Sequence, residues 1–283
     1  MKRLFLSSVF LTIALSSWTQ SKKALYKAEW GVQTYTFRNH FPKGILATLD
    51  TIKALGFTEI EGGAPKGMTP EAFKKACDER GLRIPSTGAG YDELVKDPEA
   101  VALRAKTLGA KYVMCAWIPH EKGKFNLDNA KKAVDDFNKA GKILKAHGLT
   151  FCYHDHGYEF QKHGGGTLLD YIIQNTDPKY VSFEMDILWT MHGGGDPVGL
   201  LKKYGKRWKL MHIKDLKKGV VGDLTGGTPA ENDVPVGEGQ ADMVNILKVA
   251  NKIGIKHFFI EDESNVELKQ IPKSIAYLKS LRK

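Results

Sequence analysis

Six times in this 283-residue chain, helical-looking text ends on a glycine and a short apolar run begins almost at once. The junctions are Ala54-Leu55-Gly56-Phe57, Arg80-Gly81-Leu82, Leu108-Gly109-Ala110, His147-Gly148-Leu149, Tyr204-Gly205 ahead of Trp208, and Ile253-Gly254-Ile255. Glycine just past a helix end takes the left-handed backbone that stops the helix and turns the chain. One such junction is a weak signal. Six, each opening a strand candidate, argue for alternating helices and strands and so for a parallel sheet. The strand candidates are Trp30–Phe37, Thr58–Gly62, Leu82–Thr87, Tyr112–Trp117, Thr150–His156, Val181–Trp189, Lys209–Lys214 and His257–Glu261. Eight parallel strands close a barrel, and a chain of this length suits one such unit of ~250 residues. The expected fold is α/β, a single (β/α)8 TIM barrel. An open doubly wound sheet is the rival, but no G-x-G-x-x-G follows the first strand. The best helix candidate, Asn126–His147, carries Ala130, Val134, Phe137, Ile143 and Leu144 at helical spacing. Pro70 and Pro178 sit where elements begin, and Asp196-Pro197 reads as an N-cap followed by a first-turn proline.

The first 20 or so residues are a different object. Lys2 and Arg3 precede a nearly continuous apolar run, Leu4 to Leu15, and then a small polar stretch, Ser16 to Gln20. This reads as a secretory signal peptide, too short for a comfortable membrane span. The expected organisation is a leader over residues 1–20 and one barrel domain over 21–283, exported and periplasmic. Three cysteines, Cys77, Cys115 and Cys152, make no disulfide framework, and the last two lie inside strand candidates as small core residues. The formal charge is +10, but the basic residues are scattered pairs such as Lys131–Lys132 and Lys217–Lys218. No basic stripe interleaved with aromatics suggests nucleic acid, and no later stretch could span a membrane.

Four of the apolar runs end on side chains that bind metals. They reach His154 and His156, Glu184 and Asp186, His212, and Glu261. In a barrel, alternate side chains point inward and the active site lies at the C-terminal strand ends. His154 and His156 share one face, as do Glu184 and Asp186, and His212 and Lys214. A polar group inside an apolar run is costly to bury without a partner. One histidine at a strand end is ordinary. Four consecutive strands ending this way point to one shared ion, with His154, Asp186, His212 and Glu261 as ligands. Imidazole with carboxylate and no thiolate suits one divalent Mn, Zn, Co or Fe better than Mg or Ca. Glu184 is a candidate for substrate contact, for orienting a ligand histidine, or for pairing with Lys214. The segment Gly219–Gly239, rich in Gly, Pro and Asp, follows the seventh strand and is expected as a long loop on the active-site side.

At these residues the chain resembles the sugar phosphate isomerase/epimerase family, the xylose isomerase-like TIM barrels, and looks like a secreted bacterial member. The strings are GVQTYTFR (31–38), YHDHGYEF (153–160), FEMDILW (183–189), GGGDPV (193–198), HIKD (212–215), VGEG (236–239) and IEDE (260–263). The resemblance implies one divalent metal on His154, Asp186, His212 and Glu261. Ketose 3-epimerases of the family carry Glu at the strand-five position and pair it with the strand-eight Glu as acid and base. Here that position is His154, and the His-x-His looks more like the inosose dehydratase branch. Secreted relatives are linked with oxidised, 3-keto sugars, and relatives are often dimers, which makes a homodimer an assembly to test.

The chemistry these readings share begins at a carbonyl. A metal polarises it, and a base takes the neighbouring proton. Glu261 or His156 is the candidate base, and Lys214 the candidate for neutralising oxyanion charge. Tyr35, Trp117 and Trp189 could stack on a sugar ring. Returning the proton elsewhere makes a sugar isomerase or epimerase. Expelling a β-oxygen makes a dehydratase or keto-glycoside lyase. An endonuclease IV-like phosphodiesterase shares the barrel but clusters more ligands around several metals. A carbohydrate-binding barrel without catalysis is the remaining rival.

Overall fold

Eight short parallel strands, each answering to one of the strand candidates, close on themselves in the computed structural model, which describes residues 24–25 and 30–282. They are β1 (Gly31–Gln33), β2 (Glu59–Glu61), β3 (Arg83–Gly88), β4 (Tyr112–Cys115), β5 (Thr150–His154), β6 (Val181–Asp186), β7 (Trp208–Ile213) and β8 (His257–Ile260). β8 pairs with both β7 and β1, which completes the ring. All six junction glycines have positive φ, between 49° and 94°, so each serves as the chain reversal its position implied. The leader expected over residues 1–20 lies outside the described residues. Among the described residues no helix is long and apolar enough to cross a membrane. The three cysteines are buried and unbonded.

Strand alternation divides the apolar residues into two populations. Phe151, Tyr153, Phe183, Met185, Met211, Ile213, Phe258 and Ile260 belong to the large core that includes the surrounding helices. Cys152, Leu210 and Phe259 form a separate small cluster, the layer inside the barrel, with Tyr112 against it. Gly31 makes room there, because a Cβ on it would stand 2.4 Å from the Phe259 ring. Below that layer Glu59 bridges Arg83 and His257 at 2.9 Å each. The opposite, C-terminal end is left to polar side chains.

The two strands that fall furthest short of their apolar text do so for a local reason in each case. Trp30–Phe37 is strand only over Gly31–Gln33, because the Gln33 side chain accepts the Tyr35 amide and starts a 3-10 turn over Thr34–Phe37. Val181–Trp189 is strand only to Asp186, whose Oδ1 accepts the Trp189 amide at 2.9 Å and caps a helix over Ile187–His192. The long helix runs Leu127–Ala146 with Asn126 and Asn129 forming a reciprocal capping box. The segment after β7 is more ordered than its composition implies. Asp215–Leu216 pairs antiparallel with Asp233–Val234, and the Asp215 carboxylate accepts the amides of Gly237, Gly239 and Ala241.

Candidate metal centre

The ends of β5 to β8 bring four side chains to one point. His154 closes β5, Asp186 closes β6, His212 lies across from Asp186 on β7, and Glu261 follows β8 directly. His154 Nε2 is 3.0 Å from His212 Nδ1 and 3.4 Å from Asp186 Oδ2. His212 Nδ1 is 3.5 Å from Asp186 Oδ2 and 3.3 Å from Glu261 Oε2. Ligands at ~2.0–2.2 Å around a tetrahedral ion stand ~3.3–3.6 Å apart. The donor atoms are therefore already near coordination spacing. Asp186 Oδ2 is buried without a hydrogen-bond donor, while two imidazole nitrogens face each other beside it. A cation resolves both features, so the residues fit a divalent metal of the kind that accepts imidazole and carboxylate.

The electrostatics point the same way. Glu61, Glu184, Asp186 and Glu261 crowd His212, and Lys214 is the one ammonium that the described residues bring to them. Burial works against ionising Asp186 and Glu261, but Lys214 and the imidazoles overcome it and hold both carboxyls below their ordinary range. Burial works against a charged His212 too, yet Glu184 and Glu261 favour positive charge there strongly. A metal ion meets the same demand as a proton.

One contributor was not picked out from the sequence. Glu61, at the end of β2, accepts from His212 Nε2 at 2.6 Å and from Gln33 Nε2 at 2.8 Å. With its Nε2 proton committed to Glu61, His212 turns the Nδ1 lone pair toward the cluster. This is how an outer carboxylate fixes the tautomer of a ligand histidine. Glu61 ends a three-residue strand, Glu59-Ile60-Glu61, which carries two carboxylates and so lacks the apolar run that marked Glu184. Replacing Glu61 by Gln is expected to weaken metal affinity by ~10–100-fold with the fold retained, measured by competition against a chromogenic chelator.

The other sequence candidates fall in distinct places. A cleft of about 870 Å³ opens above the cluster, and His154, His156, His212, Glu261 and Tyr35 all line it. His156 is stacked on Trp189 at 4.4 Å and meets the edge of Trp117 at 5.3 Å. Its amide is held by Glu159, a buried carboxyl pushed up to about 7 by burial. Burial, with His154 close by, pushes the His156 imidazole down to about 3, so it is neutral. Glu184 is wholly buried behind His212, 3.4 Å from its Nε2, and does not reach the cleft. Burial next to Glu61 raises its carboxyl well above the usual range. Lys214 is also buried. Its ammonium pairs with Glu261 at 3.0 Å and with Glu263, and stands 3.8 Å from Asp186. It braces the carboxylates of the cluster. Trp189 supports His156 from behind, whereas Tyr35, 53% exposed, stands at the cleft rim.

The chain matches the family described as xylose isomerase-like TIM barrel over residues 49–281. It is 28% identical to inosose dehydratase of Clostridium beijerinckii over 223 residues, 69% of this chain and 73% of that protein. Inosose dehydratase of Salmonella typhimurium is 27% identical over 185 residues, and the match spans 57% of this chain and 60% of that one. A sugar phosphate isomerase/epimerase from Parabacteroides distasonis superposes with a TM-score of 0.72 at 27% identity, covering 94% of this chain and 98% of that one. The IOLI protein, solved with a zinc atom, shares the fold with a TM-score of 0.69 at 15% identity, covering 89% and 95%. The dehydratase and isomerase/epimerase classes suggested by the sequence are thus both represented among its relatives. Together with the closed eight-stranded barrel, the match over 49–281 establishes that this chain belongs to the xylose isomerase-like TIM barrel family.

Proposed function

We propose that this chain is a metal-dependent lyase that removes the proton next to the carbonyl of a keto-sugar and then expels a β-oxygen substituent. The observation that carries the reading is His154. Of the four cluster residues, only Glu261 is a carboxylate in the cleft wall, so the site lacks the strand-five and strand-eight carboxylate pair that would suit epimerisation. His154, Asp186, His212 and Glu261 would hold the ion. When bound, a divalent ion supplies Lewis acidity that makes the hydrogen next to a carbonyl acidic. His156, a neutral imidazole that lines the cleft, would take that proton. An imidazolium in so desolvated a place is a strong acid, ready to pass the proton to the departing oxygen. Glu261, kept ionised by Lys214, gives the transient imidazolium a counter-charge. Isomerisation or epimerisation is the second reading, favoured by the 27% identical structural relative that spans nearly the whole chain.

Stripping the protein with a chelator is expected to lower its rate by ~10²-fold or more, with recovery on adding Mn, Zn, Co or Fe(II). The reloaded protein should convert 3-keto-glucosides to an α,β-unsaturated keto-sugar, visible by ultraviolet absorbance and NMR. An epimer as the sole product would sink the elimination. Export, with removal of the leader over 1–20, is part of the same proposal. N-terminal sequencing of the native protein decides it, and a start at Met1 would exclude it.

A further inference from the structure

The cleft is divided by the order of strands around the barrel. β5 to β8 supply the polar half, with His154, His156, His212 and Glu261. β4 and the segments after β1 and β2 supply a different surface, with Tyr35, Phe41, Pro42, Pro65 and Met114 lining the same space. The second half has no role in the proposed proton transfer. At about 870 Å³ the cleft lies near the top of the ~300–1,000 Å³ range of small-molecule sites, which a single six-carbon ring does not fill. Gly88, at the end of β3, keeps part of it open, because a Cβ built there meets no atom within 4 Å.

Two cations are set into this apolar half, Arg38 and the exposed Lys66. The Arg38 guanidinium lies 4.9 Å from the Tyr35 ring centre and donates to the Tyr35 and Glu263 carbonyls. A guanidinium has five donors, so Arg38 has others to offer a ligand. Flat apolar surface beside a fixed cation suits an aromatic ring that bears an oxygen, since both the ring face and a phenolate attract positive charge.

We propose that the half-cleft built on β1 to β4 is a subsite for an aromatic aglycone, so that the substrate class is the aryl keto-glycoside. This rests on the lyase reading above. In a 3-keto-glycoside the proton next to the carbonyl lies on C2 and the aglycone oxygen on C1. As the base takes the C2 proton, its bonding pair becomes the C1–C2 double bond and the C1–O bond breaks. The oxygen leaves with that bonding pair and takes up one proton. The products are a phenol and an unsaturated keto-sugar, with no change in total electron count. Arg38 and Lys66 would stabilise the negative charge on the departing aryloxide.

The test separates binding from turnover. Calorimetry of phenyl β-glucoside and methyl β-glucoside, neither of which carries the carbonyl, reads the subsite alone. Phenyl is expected to bind at least ~10-fold tighter, the value of one well-packed aromatic contact. Gly88→Leu should remove most of that preference, and Tyr35→Ala should reduce it by a route that adds no bulk. In turnover, Gly88→Leu should lose at least ~10-fold more kcat/KM on 4-nitrophenyl 3-keto-β-glucoside than on its methyl counterpart. Equal binding of the two glucosides, or equal losses on the two keto-substrates, would overturn the subsite. Displacement of phenyl β-glucoside by inorganic phosphate would make this half an anion site instead and overturn it too. A phenyl preference sensitive to Gly88→Leu, with no unsaturated product from either keto-glucoside, would uphold the subsite and defeat the lyase reading.

Discussion

Exchanging His212 for alanine is expected to abolish the proposed metal binding and to lower turnover by ~10³-fold or more. The size follows from the position of the imidazole. Its Nδ1 is within 3.5 Å of donor atoms on all three other cluster residues, so no other ligand is as central. Removing one preorganised electrostatic group from an active site costs ~10²–10³ in rate, and losing the ion removes more than one such group. Alanine also leaves Glu61 and Glu184 buried against an empty space, so three remaining ligands must hold an ion with no outer carboxylate orienting them. The measurement is metal per chain by elemental analysis, set beside kcat/KM. His257→Ala is the control. It removes a histidine from the next strand at the other end of the barrel, where its partner is Glu59. That variant should keep its metal. Full metal and full turnover in the His212 variant would mean that the four-residue cluster is not the metal centre.

The fold was legible because its signals are local and repeated. Gly56, Gly81, Gly109, Gly148, Gly205 and Gly254 each mark a chain reversal by backbone conformation alone. Strand ends were harder to place. An apolar run such as Phe183 to Trp189 reads as one element, although the Asp186 side chain caps a helix within it. Asp186 does two jobs at once, Oδ1 for the cap and Oδ2 for the cluster, and the first is visible only in three dimensions.

The site was half legible, for a related reason. Strand-end positions from β5 to β8 sit on one side of the barrel and project to one point, so period-two alternation gathers His154, Asp186, His212 and Glu261. Alternation does not say how deep a side chain lies. Glu184 shares the face of Asp186 but sits one layer lower, where it meets Glu61 from the opposite wall. Glu61 is separated from His212 by 151 positions, and only closure of the ring brings them together. Depth also sets Lys214 apart. It follows His212 at the strand end, yet the segment carrying Asp233 folds over it and encloses it with carboxylates.

That enclosure makes Lys214→Met the substitution with the largest expected effect on stability, a loss of ~3–5 kcal/mol. Methionine keeps the length of the side chain and removes only the ammonium. The pairs to Glu261, Glu263, Asp186 and Asp233 all lose their common cation, and the lysine side chain has no exposed surface through which water could replace it. At ~2–4 °C per kcal/mol for a chain of this size, Tm should fall by ~6–20 °C. Metal should restore more stability to the variant than to the parent, because a divalent ion on Asp186 and Glu261 supplies part of the missing charge. Calorimetric scans with and without the ion measure this difference directly. An unchanged Tm with a reduced kcat would mean that the ammonium is free to meet substrate, the role its place beside His212 suggests from sequence. The geometry argues otherwise, since an ammonium shared by two close carboxylates with two more within 4.0 Å has little capacity left for an oxyanion.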